Sequence, residues 1–367
     1  MPILCQQNLD GVVSQNASAS KPFAIPKDLR VGTLDTLVAL SDALVKDDTF
    51  GERLTRKLST NMNNLVDGNK DKMLDLLQAN GRTLQGYVEQ FRWDSAKFNT
   101  ALSADALRQD INKKLSEIDT EMKAKTSAYT KVKQTLGQME KRGTGSLLVR
   151  DVSNVVTRDH FVLDSEYLVT LLVVVPMPKI PEWEESYETL SEYIVPRSSV
   201  RIQVDDKDSA LYTVTMFRRV VEDFKQSARE KRFTVKDFEY DESKMEADEA
   251  KTQQLKTDLQ RKYNMLVSWC KMAFSEAFIA WIHMKALRCF VESVLRYGLP
   301  VNFYSALVMP NAKRGPRLRK ELNTAYARLD SSAGGGGDDG ANVSVSGIFV
   351  KDYYPYVSFN IELASFL

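Results

Sequence analysis

The chain has 367 residues, room for two or three domains, and its 43% hydrophobic and 27% charged residues give the balance of a soluble globular protein with ample core. Fifty Lys and Arg against 49 Asp and Glu leave a net charge of +1, which excludes a general electrostatic pull toward nucleic acid or a membrane surface. Cys5, Cys270 and Cys289 have no metal-ligand spacing, and their odd number cannot close a disulfide framework, so a reducing compartment is expected.

Residues 1 to 32 are polar, with Pro2, Pro22 and Pro26, and read as an irregular arm; the opening MPILCQQNLDG has no basic-then-apolar leader. Thr33 then caps a helix that places Leu34, Leu37, Val38, Ser41, Leu44 and Val45 on one face. Phe50, Leu54, Leu58, Met62 and Leu65 mark a second amphipathic helix, and TLQGYVEQFRW a third around Tyr87, Val88 and Phe91. Leu107, Ile111, Leu115, Ile118, Met122, Lys125, Tyr129, Val132, Leu136 and Met139 recur every three or four residues. Such a near-heptad seam predicts a long helix packed lengthwise on another, ending at the glycines of KRGTGS.

β-Branched residues then take over. HFVLDSEYLVTLLVVVP reads as a buried strand, RIQVDDKDSALYTVTMF as two strands around an acidic turn, and FTVKDFEY as one more. A short amphipathic helix carrying Val220, Val221 and Phe224 sits between them, so 160–241 is an α/β unit inserted in a helical chain. From Glu242 the helix pattern runs to Gly298, with Met245, Thr252, Leu255, Leu259, Lys262, Leu266 and Trp269 as the matching seam. Two long helices flanking an insert imply an antiparallel pair. Beyond Pro300 come a short helix in RLRKELNTAYARLD, a glycine-rich loop, and YYPYVSFNIEL, an alternating strand expected to pair with an early segment.

No phosphate loop, nucleophile elbow or zinc-protease motif is present, so no catalytic, cofactor or metal residue is assigned. KRGTGSL lacks the GK[ST] ending and reads as a helix stop; Glu182, Glu184 and Glu185 read as a solvated loop. His283 stands among Ile279, Ile282, Leu287 and Phe290, the setting of a hydrogen-bonded core histidine rather than a ligand. Around it, Lys285, Arg288, Glu292 and Arg296 form one charged stripe of mutually compensating pairs, which excludes a spanning segment. The basic cluster KRGPRLRKE fits a solvated face as well as an acidic partner.

LRVGTLDTLVALSDALVK, FVLDSEYLVTLLVVVP, YETLSEYIVPRSS, SAREKRF and EAFIAWIHMKALRCFVESVLRYGLPVNF together resemble the C-subunit family of the eukaryotic V-type proton ATPase. The resemblance runs from about residue 23 to 330 and resumes at YYPYV. It departs at the first residues, where members open with an apolar strand, and in the glycine-rich loop.

The resemblance implies an α+β, mostly helical dumbbell. Its foot would hold residues 1–103 and 271–367, its neck 104–159 and 242–270, and its α/β head 160–241. It also implies a non-catalytic stator component, one copy per complex, on the cytosolic face of vacuolar and endomembranes without inserting. The head would grip a heterodimer of the pump's E and G subunits; the foot would touch a second such heterodimer and the cytosolic domain of the membrane sector's a subunit. Arg197, Arg218, Arg219, Arg229 and Lys231 are the candidate head contacts, and Lys313, Arg317 and Arg319 the foot contacts, each also readable as solvated charge. The alternative is a coiled-coil scaffold binding actin filaments through residues 313–320; an enzyme built from scattered residues is the third reading.

Overall fold

The computed structural model describes residues 9, 11–13, 16–26, 29–143, 145–204, 206, 208–300, 303–311, 314–327 and 354–366. In chain order it contains strand β1 (Ala17–Pro22), helices α1 (Leu34–Leu65) and α2 (Lys70–Leu76), and the hairpin β2 (Gln78–Ala79) and β3 (Arg82–Thr83). Helix α3 (Leu84–Glu89), the long helix α4 (Ala104–Gly143), strand β4 (Leu168–Pro176), helix α5 (Ile180–Ser186) and strands β5 (Val200–Ile202) and β6 (Ser209–Phe217) follow. Helix α6 (Val221–Glu230), strand β7 (Thr234–Lys236), the 56-residue helix α7 (Glu242–Tyr297), strand β8 (Ala306–Pro310) and helix α8 (Gly315–Tyr326) complete the order. The class is mixed α and β and mostly helical. Two units separate: Ser127–Asn264, and Met1–Thr126 together with Met265–Leu367.

In the Ser127–Asn264 unit one antiparallel sheet has the order β5-β6-β4-β7. β4 and β6 pair over their full lengths, from Leu168 opposite Phe217 to Pro176 opposite Ser209. The continuous apolar run of β4 follows from burial on both faces. Leu171, Val173 and Val175 face Trp183, Phe224 and Phe233 from α5, α6 and the turn beyond. Leu172 and Val174 face Leu147, Val152 and Val156 on the other side. Trp183 is fully buried, and its indole N–H reaches the Ser199 hydroxyl at 3.0 Å, so the ring's one polar atom is satisfied. The carboxylates expected in a solvated loop lie on α5 instead, where Glu184 accepts from the Tyr212 hydroxyl at 3.0 Å. Tyr129 of α4 meets Tyr263 of α7 across the seam, ring centroids 6.2 Å apart. Of the acidic turn, Asp205 and Lys207 lie outside the described residues.

In the other unit, Thr33 caps α1 by accepting from the Thr36 N–H, but the two helices expected over 34–65 are one. Its buried face is rotated from the expected one: Leu37, Leu40 and Leu44 are inside, whereas Leu34, Val38 and Val45 are exposed. The Asp47–Asp48 step does not break the helix because both carboxylates turn inward to partners. Asp47 accepts from Arg108 and Asn112, each at 2.7 Å. Asp48 accepts from the Trp281 indole at 2.8 Å, Lys285 at 3.1 Å and Arg288 at 2.9 Å. The charged stripe of α7 is therefore compensated from other elements rather than along its own helix; Glu292 likewise accepts from Ser41 at 2.7 Å. Helix α7 holds a window long and apolar enough to cross a membrane, more than half of it buried inside the protein.

His283 is fully buried. Its Nδ1 donates to the Ile279 carbonyl at 2.8 Å and its Nε2 accepts from the Asp94 N–H at 3.1 Å, fixing a neutral tautomer. Phe91, Trp93 and Phe98 enclose the ring, with centroids 4.3 to 5.0 Å away. Desolvation pushes its pKa down from 6.5 to about 4. His160 caps the turn at Arg158–His160, its Nδ1 accepting from the Thr157 N–H at 3.0 Å.

Both chain ends differ from the sequence expectation. The expected arm contains β1, which pairs antiparallel with β8, and Leu9 and Val13 are buried against Leu318 and Leu322. The strand expected in YYPYVSFNIEL is absent among residues 354–366, which run as irregular chain into a short turn at Leu363–Phe366. Side-chain anchors replace ladder pairing there. The Tyr354 and Pro355 carbonyls accept from Arg296 and Tyr297, at 2.7 and 3.1 Å, and Phe366 is buried among Phe274, Phe278 and Trp281.

Candidate interaction surfaces

At the end of the four-stranded sheet, β6 runs out through Phe217-Arg218-Arg219 into the turn that starts α6. Here the main-chain donors are occupied: Phe217 N–H by the Tyr193 carbonyl at 3.2 Å, Arg218 N–H by Tyr167 at 2.8 Å and Val195 N–H by Thr215 at 3.0 Å. The Arg218 guanidinium is steadied by the Ser165 carbonyl at 3.3 Å.

The neighbouring segment is pinned by Glu188. Its carboxylate accepts from the Arg197 N–H and the Tyr187 hydroxyl, both at 2.9 Å, and these two bonds hold its pKa below the usual carboxylate value. Within that segment Tyr193 at φ 64° and Arg197 at φ 56° adopt the left-handed conformation, which costs a non-glycine residue on the order of 1 kcal/mol and persists only where surroundings over-determine it. The result is a displayed ring. Tyr193 is 50% exposed, meets Phe217 edge-on at 6.0 Å, and carries the Arg219 guanidinium 3.7 Å from its centroid. Tyr167, 68% exposed, lies beside them in the chain path through its bond to Arg218.

Of the candidate head residues, Arg218 and Arg219 thus lie together at this end of β6, and the exposed Arg197 lies on the pinned segment that carries Tyr193. Arg229 and Lys231 stand at the opposite end of α6, about 15 Å of helix away. The Arg229 carbonyl accepts from Arg232 at 2.9 Å and the Lys231 carbonyl from Lys179 at 2.8 Å. The aromatic members Tyr167, Tyr193 and Phe217 are not legible from the sequence, because nothing in their spacing separates an exposed aromatic from a core one.

On α8 the other candidates part company. Arg317 is exposed and pairs with Glu321 one turn on, at 2.9 Å, which holds that carboxyl below its usual range. Arg319 donates to the Tyr354 hydroxyl at 3.0 Å and the Asn360 side chain at 2.9 Å, tying α8 to the last described segment. Lys313 lies outside the described residues. Among the described residues no group of three or more His, Cys, Asp or Glu side chains could hold a metal ion. Arginine and tyrosine, the side chains exposed at the end of the sheet, are among the residues that most often carry binding energy at protein interfaces.

The family model for the C subunit of the V-ATPase matches residues 4–357. Among curated relatives, the V-type proton ATPase C 1-A subunit of Danio rerio is 46% identical over 98% of this chain and 94% of its own length. The V-type proton ATPase C 1 subunit of Xenopus laevis is 46% identical over 98% and 94%, and that of Bos taurus 46% identical over 95% and 91%.

Proposed function

Because the chain belongs to the V-type proton ATPase C-subunit family, we propose that it acts as a non-catalytic stator component of the rotary proton pump. In this reading it bridges the ATP-hydrolysing V1 sector to the membrane V0 sector from the cytosolic side, in one copy, as an elongated dumbbell. The head, within Ser127–Asn264, grips a heterodimer of the E and G subunits. The foot, built from both chain ends, meets a second E–G heterodimer and the cytosolic domain of the membrane sector's a subunit. Release of these contacts accompanies regulated disassembly of the pump.

The family match over residues 4–357 carries the reading. The exposed arginine and aromatic side chains at the end of the sheet support the head as a grip, and no observation favours the filament-binding scaffold. Calorimetric titration of the full chain with a recombinant E–G heterodimer at physiological salt tests it. Tight binding of at least one heterodimer per chain is expected; a folded chain that binds no E–G heterodimer overturns the reading.

A further inference from the structure

We propose that Tyr193 and Arg219, with Phe217 and Arg218 beside them, form a preformed clamp for an acidic helix; the stator reading supplies only the identity of that helix, as part of the E–G heterodimer. Neither guanidinium meets a carboxylate among the described residues: Arg218 touches a carbonyl and Arg219 a ring face. With its Cζ 3.7 Å from the ring centroid and no carboxylate partner among the described residues, the Arg219 guanidinium keeps N–H donors of the kind that bind a carboxylate bidentately. The unmet chemistry at this surface is therefore anionic.

The main-chain donors of Phe217, Arg218 and Val195 are already bonded, so at these positions an added strand finds no ladder donor. Only side chains are on offer, and a helix presents side chains to side chains. Its matching face carries an acidic residue for each arginine and an aliphatic one between them, at helical spacings of three or four, to cover Tyr193 and Phe217. Holding Tyr193 in a left-handed conformation before the partner arrives lowers the ordering cost of binding.

The full-length chain is titrated with two probes: the E–G heterodimer, and an amphipathic helical peptide of Glu, Ala and Leu beside its Glu→Gln counterpart. Arg219→Ala and Tyr193→Asn, the latter tolerant of the left-handed backbone, are expected to weaken E–G binding by about tenfold or more. Arg219→Lys keeps the charge but not the stacked fork and recovers only part of it. Lys133→Ala, exposed on α4 and assigned to no contact, serves as the control and leaves binding unchanged. The Glu peptide binds and the Gln peptide does not, with binding falling as salt rises. If wild-type chain holds E–G and both variants hold it equally well, the clamp is wrong while the stator reading stands. If E–G fails to bind but the Glu peptide binds through Arg219, the clamp stands and the stator reading falls. Equal binding of the two peptides removes the acidic partner.

Discussion

The carboxylate of Asp48 and the ammonium of Lys285 meet at 3.0 Å, with side chains only 5% and 9% exposed. Asp48 also accepts from the Trp281 indole and pairs with Arg288 at 2.9 Å, so one buried anion ties α1 to three successive turns of α7. Removing one partner of a buried pair leaves an uncompensated charge, typically about 3–5 kcal/mol. Asp48→Ala is therefore expected to lose stability of about that size. Asp48→Asn retains an acceptor for the indole and loses less. Urea unfolding of the two variants checks the order; equal losses would show that charge is not what the site requires.

His283 predicts a pH dependence. Its folded-state pKa of about 4 lies below the ordinary 6.5, so the unfolded chain takes up a proton that the folded chain refuses. The Asp94 carboxylate opposes the depression and Lys97 favours it, but desolvation wins. Stability is thus full above about 6.5 and declines as pH falls to about 4, by on the order of 3 kcal/mol in all. In His283→Gln this portion of the slope disappears, which denaturation midpoints measured between about pH 7 and pH 4 would reveal.

Phe366 plugs the core from the far end of the chain. Its ring lies 5.8 Å from Trp281 and 6.0 Å from Phe278, and its carbonyl accepts from the buried Ser59 hydroxyl at 2.7 Å. Phe366→Ala is expected to cost about 3–5 kcal/mol, as for other buried phenylalanines. Hydrogen exchange should accelerate first in α1 and α7 near Ser59 and Phe278, and unchanged protection there would count against the plug.

Two helical glycines should respond oppositely to alanine. A Cβ on Gly51 would sit 3.0 Å from Trp281, whose indole is held by Asp48 and cannot easily give way, and 3.4 Å from Leu115. Overpacking of that kind costs about 1–3 kcal/mol, more than the roughly 1 kcal/mol of helix propensity gained. At Gly137 on α4 a Cβ meets nothing within 4 Å, so Gly137→Ala should stabilise by about 0.5–1 kcal/mol. Melting temperatures moving in opposite directions are the expected result.

Cys270 and Cys289 are held by desolvation as thiols, with pKa values pushed up to about 11. At about pH 8 neither should react with a disulfide reagent until the protein unfolds. Mass spectrometry after labelling in buffer and in guanidinium compares the two states, and native labelling at Cys270 would show the core around α7 opening.

Periodicity and β-branched runs act locally and sum over many residues, so the long helices, the place where the α/β unit interrupts them, and strand β4 are all legible in the amino-acid order. So is the hydrogen-bonded core setting of His283, since no other ligand type accompanies it. The turn of α1 about its axis is different: Asp47 and Asp48 are interior residues because Arg108, Lys285 and Arg288, remote in sequence, meet them there. The chain ends mislead for the same reason. β1 is too polar to announce a strand and exists because β8 supplies its ladder partner, whereas YYPYVSFNIEL alternates like a strand but finds side-chain anchors instead. The exposed Tyr193–Arg219 stack likewise depends on β6 and the segment pinned by Glu188 arriving at one end of the sheet. Local propensity writes the elements; which face is buried and which side chains meet is settled by partners far along the chain.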